Sequence, residues 1–283
     1  TFLVGRYKRN VLRTSWVGAI MTDRESSRPG DYNRVYGPDV HFQFWRKLEI
    51  DSFVLKSETP RRPGNPMARQ LVTTWRDDEW NVDYEYERVE RNFNPEVGFV
   101  RRGNIFQHSG DLNWNPLIRR SDAIRNLRFG ASMDYYKSAT TGRLETRTRQ
   151  ATTGIQFENN GSLNLTVDQT LDTLVRPFAI RSNIAIPVGQ YNYRRYTASF
   201  NSGSNRKLGV SGNTNWGEFW NGDNRAYTFG MDFNPNYHLS TEVNYSRNSV
   251  TLPNGAFVTN LLDRKSTRLN SSHVSESRMP SSA

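Results

Sequence analysis

From Trp80 to Glu87 the chain alternates without a break, with Trp80, Val82, Tyr84 and Tyr86 on one side and Asn81, Asp83, Glu85 and Glu87 on the other. Successive side chains of an extended strand point to opposite faces, so this period of two dictates a ribbon with one apolar and one charged face. The pattern returns at Leu127, Phe129, Ala131, Met133 and Tyr135, at Tyr227, Phe229, Met231 and Phe233, and at Leu239, Thr241, Val243 and Tyr245. Looser alternation runs through Phe2 to Arg9, Ser15 to Asp23, Tyr32 to Phe44, Leu48 to Glu58 and Ala68 to Trp75. It continues through Asn104 to Trp114, Leu144 to Glu158, Ser162 to Leu174, Gln190 to Ser202 and Leu208 to Phe219. No long stretch carries the helical period of 3.6. The segments predict about fourteen antiparallel strands, with another beginning near Ala256, and several reach the ~9 to 11 residues that cross a bilayer.

The connections carry a second regularity. Short turns such as Arg46-Lys47, Asp77-Asp78 and Asn159-Asn160-Gly161 alternate with longer ones such as Glu25 to Asp31, Thr59 to Pro66, Glu90 to Gly103 and Arg176 to Gly189. Up-and-down barrels of the bacterial outer membrane have this parity. Asn115 to Arg125 is long where a short turn is expected, and Thr140-Thr141-Gly142 is short where a long loop is expected.

Composition agrees with strands that need apolar residues only at alternate positions. Only 35% of the 283 residues are apolar and mean hydropathy is −0.78, a thin supply for a soluble core of this size. The longest apolar runs, such as Phe53-Val54-Leu55, fall far short of the ~20 residues of a membrane helix. The chain opens TFLVGRYKRN, with neither an initiator Met nor an apolar signal segment, as a trimmed or shortened precursor would. The absence of Cys excludes disulfide scaffolds and thiolate metal sites. The net charge of +10 does not point to nucleic acid, because Lys and Arg are dispersed among carboxylates instead of clustering on one element.

The residues from Asp263 to Ala283 break the alternation. Their two parts, DRKSTRLNSSH and SRMPSSA, resemble the in-frame translation of the two halves of a widely used short-read sequencing adapter, with Val274, Ser275 and Glu276 in the place of the sample index. The expectation is therefore a partial barrel over residues 1–262 and a non-native, disordered tail over residues 263–283, with the parent gene continuing past Leu262.

Three ordered segments, GDYNRVYGPDV (Gly30 to Val40), NFNPEVGFVRR (Asn92 to Arg102) and GRLETR (Gly142 to Arg147), resemble the C-terminal barrel domain of a large family of uncharacterised bacterial surface proteins. The resemblance spans essentially Thr1 to Leu262, including the late YSRNSVTLPNGAFVTNLL. It implies a Gram-negative outer membrane and an N-terminal domain like a carbohydrate-binding module, and it supplies no catalytic or binding residues. The expected fold is thus all-β, an antiparallel up-and-down transmembrane β-barrel present as a truncated fragment.

Function then divides between a pore, or an anchoring and export module for that N-terminal domain, and an alternative soluble periplasmic or secreted protein that binds glycans through exposed aromatics. The chemistry-bearing residues favour neither catalysis nor a cofactor. His41, His108 and His238 share no metal-ligand spacing, and Glu85 with Glu87 is more simply a polar strand face than a glycosidase pair. Asp83, Glu85 and Glu87, with Glu145, Arg147 and Arg149, are the candidate lumen-facing charges. All seven Trp residues, Trp16, Trp45, Trp75, Trp80, Trp114, Trp216 and Trp220, fall at or near strand ends as candidates for an aromatic girdle. Asn92, Phe93, Asn94, Pro95 and Phe99 mark the loop from Glu90 to Gly103 as a candidate constriction, shaped by its Asn, Pro and Gly and anchored by Phe93, Val97, Phe99 and Val100. Expected partners are outer-membrane lipid and lipopolysaccharide, whose phosphates Arg101 and Arg102 would meet, together with a solute or glycan. Nothing in the sequence sets an oligomeric state.

Overall fold

Alternation on this scale commits nearly every backbone donor and acceptor to ladders between neighbouring strands. The computed structural model describes residues 1–62, 64, 66–203, 207–236 and 239–268. Its strands are β1 (Phe2–Leu12), β2 (Ser15–Glu25), β3 (Tyr32–Phe44), β4 (Leu48–Glu58), β5 (Met67–Arg76), β6 (Trp80–Val89), β7 (Ile105–Trp114), β8 (Ile124–Ser138) and β9 (Leu144–Phe157). They continue with β10 (Ser162–Leu174), β11 (Phe178–Arg181), β12 (Ile184–Ile186), β13 (Gly189–Asn201), β14 (Leu208–Phe219), β15 (Gly222–Asn236), β16 (Leu239–Leu252) and β17 (Gly255–Arg268). All but two form one 15-stranded antiparallel sheet in which each strand pairs with its neighbour in sequence, β1 and β17 standing at its two ends. The remaining pair, β11 and β12, is a small hairpin set into the connection from β10 to β13. The described residues include no helix.

Connection lengths follow the expected parity over most of the sheet. One edge carries tight turns such as Phe44 to Lys47, where the Lys47 amide donates to the Phe44 carbonyl at 3.1 Å. Trp45 and Arg46 both adopt positive φ there, 52° and 59°, the left-handed pair whose twist suits a two-residue hairpin. The opposite edge carries the long connections between β4 and β5, β6 and β7, and β10 and β13. The parity fades toward the C-terminal end, where β14–β15 and β16–β17 close with two-residue turns on that same edge.

Register sorts the side chains. Pairing of Trp80 with Trp114, Val82 with Leu112, Leu112 with Ala131 and Ala131 with Ala151 carries one apolar face across β6 to β9. Val167, Tyr196, Trp216, Phe229 and Tyr245 continue it to β16. Phe129, Met133, Leu163, Leu165, Tyr227 and Phe229 stand exposed on it. On β8 this face stays apolar from Leu127 to Tyr135, ~27 Å at ~3.4 Å per residue, whereas on β9 it is free of charge only from Ala151 to Ile155, with Arg149 and Arg147 opposite Met133 and Tyr135. The other face is built from Asn, Gln, Ser, Thr and carboxylates and is the polar face below.

β17 runs on to Arg268, pairing from Leu252↔Gly255 to Leu239↔Arg268. Asp263 to Arg268, expected to be disordered with the rest of the tail, therefore extend the ladder instead. The open side of β16 offers backbone hydrogen bonds to any residues that arrive in register. Residues 269–283, the remainder of that tail, lie outside the described residues.

Candidate functional site

The polar face of β4 to β8 gathers acidic side chains. Odd positions of β4, β6 and β7 and even positions of β8 share it, which brings Glu49, Asp51, Asp83, Glu85, Glu87, Asp111 and Asp134 together against Arg76 and Arg128. Several carboxylates are held by neighbours on the same face. Arg76 donates two hydrogen bonds to Asp83, at 2.8 and 2.9 Å, and Thr74 adds a third at 2.9 Å. Gln70 donates to Glu85 at 2.7 Å, Ser109 to Asp134 at 2.7 Å and Gln43 to Glu49 at 2.9 Å. His41 meets Asp51 at 2.8 Å. Glu87 forms no ion pair among the described residues, and Arg101 lies near enough to act on its charge.

Two long connections fold over the polar face of the sheet, one at β2 to β7 and the other at β15 to β17. The loop from Glu90 to Gly103 crosses back from β6 over β5 and β4 to β3 and β2. Phe93 is buried among Val35, Ala68, Val89 and Ile105, with Phe53, Leu55 and Val100 packed around them. Asn33, completely buried, donates to the Asn94 carbonyl at 2.7 Å and to Thr59 at 2.8 Å, and accepts from the Glu96 amide at 3.2 Å. The Asn94 amide donates to Ser57 Oγ at 3.0 Å, and Arg24 bridges Glu96 and Asp31. Hydrogen bonds from Arg24 and Ser26 hold the Asp31 carboxyl below the usual range. The loop is therefore a fixed shelf on the polar face and not a free rim segment.

The second cover, the β11–β12 hairpin, buries Ile184 and Ile186 against Val250 and Leu252, beside Tyr191, Phe219, Trp220 and Phe257. Arg181 lies 4.2 Å from the centre of the Phe257 ring, and Asn254 donates to the Ala185 carbonyl at 3.3 Å. Sequence reasoning marked this stretch only as a long loop. Its signal was the Phe178-Ala-Ile and Ile184-Ala-Ile pair of short alternations, too brief to separate from an ordinary connection.

Three expectations are corrected. First, Arg147 and Arg149 do not share the face of Asp83, Glu85 and Glu87. They pair with Tyr135 and Met133 on the apolar face, while Thr146, Thr148 and Gln150 take the polar one. Glu145 sits at the bulge where the β8–β9 register shifts, and its ion-pair partner is Arg102, which also lies over the Tyr136 ring. Second, the seven Trp do not form one girdle. Trp75, Trp80 and Trp114 line the short-turn edge of the apolar face, where Trp80, Trp114 and Phe129 stack in sequence at 5.5 and 5.4 Å. Trp216 stacks on Tyr196 nearer the long-loop edge. Trp45 occupies a turn, 77% exposed. Trp16 lies on the polar face, stacked on His41 under Lys8, and Trp220 packs beneath the hairpin beside Tyr193. Third, Phe99 does not anchor its loop. It is 86% exposed, and Phe93 and Val100 make the apolar contacts instead. Pro95 accepts from the Gly98 amide at 3.1 Å in a turn, and Asn92 approaches Gly64. His41 and His108 fall on opposite faces, and His238 lies outside the described residues.

No family model and no curated protein matches the chain. Solved structures do resemble it. The outer membrane protein OprD of Pseudomonas aeruginosa superimposes over 95% of this chain and 92% of its own, with a TM-score of 0.51 and 9% identity. This is the fold of an outer-membrane β-barrel. Pseudomonas aeruginosa OpdO matches over 90% of this chain and 79% of its own at TM-score 0.51 and 10% identity. OpdK of the same organism, in a structure with vanillate, matches over 89% and 75% at TM-score 0.53 and 8% identity. At such identities the likeness extends to the fold alone.

Proposed function

We propose that the chain forms the wall of a solute pore in a bacterial outer membrane, with the polar face toward the lumen and a preference for cationic solutes. The observation that carries this reading is the separation of charge by register. Asp83, Glu85, Glu87, Asp111 and Asp134 converge on one face, while Arg69, Arg88, Lys137, Arg147 and Arg149 lie on the other. Charged rings and patches lining a pore select ions by their local field, which low-dielectric walls focus. The shelf from Glu90 to Gly103 narrows the passage above that patch, with Arg101 as a basic counterweight near Glu87. The OpdK structure with vanillate concerns an anionic aromatic ligand of that protein. The acidic face here suits the opposite charge.

The test is planar-bilayer recording on the full chain after fractionation with membranes. A reversal potential under a salt gradient that favours cations, reduced in D83N/E85Q/E87Q, supports the reading. Conductance with no cation preference overturns the selectivity. Recovery as a detergent-free soluble monomer overturns the pore and favours a secreted glycan binder.

A further inference from the structure

The apolar face carries a feature that a lipid-facing surface does not need. Near the long-loop edge its outward positions include Arg69, Arg88, Lys137, Arg147, Arg149 and Arg194. Arg69 and Arg88 are direct cross-strand partners. Arg149 and Arg194 flank Gln169 on adjoining strands, and Arg147 precedes Arg149 on the same face. At ~4.8 Å between strands and ~7 Å between alternate residues, Arg149 stands about 7 Å from Arg147 and about 10 Å from Arg194, and Arg147 and Arg194 are about 12 Å apart.

Cations directly opposite one another repel, and arginine on the lipid side of a barrel is tolerated only near an interface. Among the described residues Arg69, Arg147, Arg149 and Arg194 form no ion pair with a carboxylate. Arg34, Lys56 and Arg88 on the same face each have a carboxylate partner, as do Arg6, Arg24 and Arg76 on the polar face. The six basic residues adjoin Tyr86, His108, Tyr135, Tyr196 and Trp216, the kind of aromatic belt that marks headgroup depth.

We infer that this basic belt binds the phosphate groups of an anionic membrane lipid, its acyl chains lying on the adjoining apolar band. The inference rests on the membrane reading above. Continuity with the apolar face selects a lipid over free phosphate, and the convergence of several guanidinium groups selects phosphate monoesters, which carry more charge than a single phosphodiester and accept bidentate Arg donors. The long-loop edge is then the side of the membrane that holds this lipid.

The experiment uses the full chain refolded into phosphatidylcholine vesicles doped with bisphosphorylated lipid A, then extracted and weighed by native mass spectrometry for retained lipid. R147Q/R149Q should lower retained lipid A by about tenfold or more, the loss of two charge-assisted contacts, while R147K/R149K keeps part of it. R119Q/R120Q, which removes the same charge from the opposite edge, should leave retention unchanged. Equal retention by wild type and R147Q/R149Q overturns the inference while leaving the pore intact. So does equal retention of dephosphorylated lipid A, or of phosphatidylglycerol in its place. Failure of the wild-type chain to enter vesicles overturns both readings.

Discussion

Arg69 and Arg88 face each other directly across β5 and β6 on the apolar side of the sheet. Arg88 has Glu90 at 2.8 Å, whereas among the described residues Arg69 has the Met67 sulfur at 3.5 Å and no carboxylate. Opposed like charges cost a fraction of a kcal/mol, so R69Q should stabilise the protein by ~0.2–1 kcal/mol in a zwitterionic bilayer. The gain should vanish or reverse where lipid phosphate is present to bridge the pair. Urea midpoints in the two lipids measure this, and a lower midpoint for R69Q in both would contradict it.

The assignment of faces makes separate claims for individual tryptophans. Trp80 and Trp114 lie on the apolar face, so W80F or W114F should remove much of the fluorescence that brominated lipid quenches. Trp16 stacks on His41 on the polar face, so W16F should leave lipid quenching intact and reduce the signal that acrylamide reaches. Lipid quenching that falls equally in all three variants would mean that the register does not separate lipid from lumen.

Period two made the strands legible, because a strand with one wet and one dry face needs it at every step. On β9 charge alone does not mean lumen: Arg147 and Arg149 stand on the face that Ala151, Thr153 and Ile155 continue into the apolar band. Near the edge of a membrane band both faces are polar, so residue type no longer identifies the side and only register does. Trp16 shows the complementary limit. Its position near a strand end fits a girdle, but its face is set by pairing with His41, twenty-five residues away on the next strand. The shelf over the polar face was half visible, since Asn94, Pro95 and Gly98 announced a shaped loop. Its anchor, Asn33, lies sixty-one residues from Asn94 and has no local signature.

At the short-turn edge, Lys47 reaches Asp77 at 2.7 Å and ties two successive turns together. The Lys47 hydrogen bond, helped by the Asp78 amide, holds the Asp77 carboxyl below its ordinary value near 3.8, and the same bond raises Lys47. A carboxyl whose folded value is depressed contributes stability that is complete above the unfolded value and is lost as pH falls through the folded one. Wild type should therefore lose more stability than D77N on acidification below about pH 4, with a small difference because the pair is solvated and screened by salt. Melting midpoints between pH 6 and pH 3 at low ionic strength provide the comparison. Parallel curves for the two proteins would show that the contact carries no linkage.

Asn33 is the point at which the loop from Glu90 to Gly103 is fastened to the sheet. It is fully buried, and both its amide hydrogens and its carbonyl oxygen are used, by Thr59, the Asn94 carbonyl and the Glu96 amide. Asn33→Ala takes this partner from the Asn94 carbonyl and the Glu96 amide at a fully buried position, a loss of about 1–3 kcal/mol. The cost falls on the loop, because the strand ladders of β3 with β2 and β4 do not depend on that side chain. N33A should therefore retain the strand content of the wild type while the Arg91 to Arg102 segment becomes accessible to trypsin, which cleaves after its arginines. With the loop as the constriction of the pore, single-channel current through N33A should rise and become noisier. A loop that stays protected in N33A would place its anchorage in Phe93 and Ser57 instead.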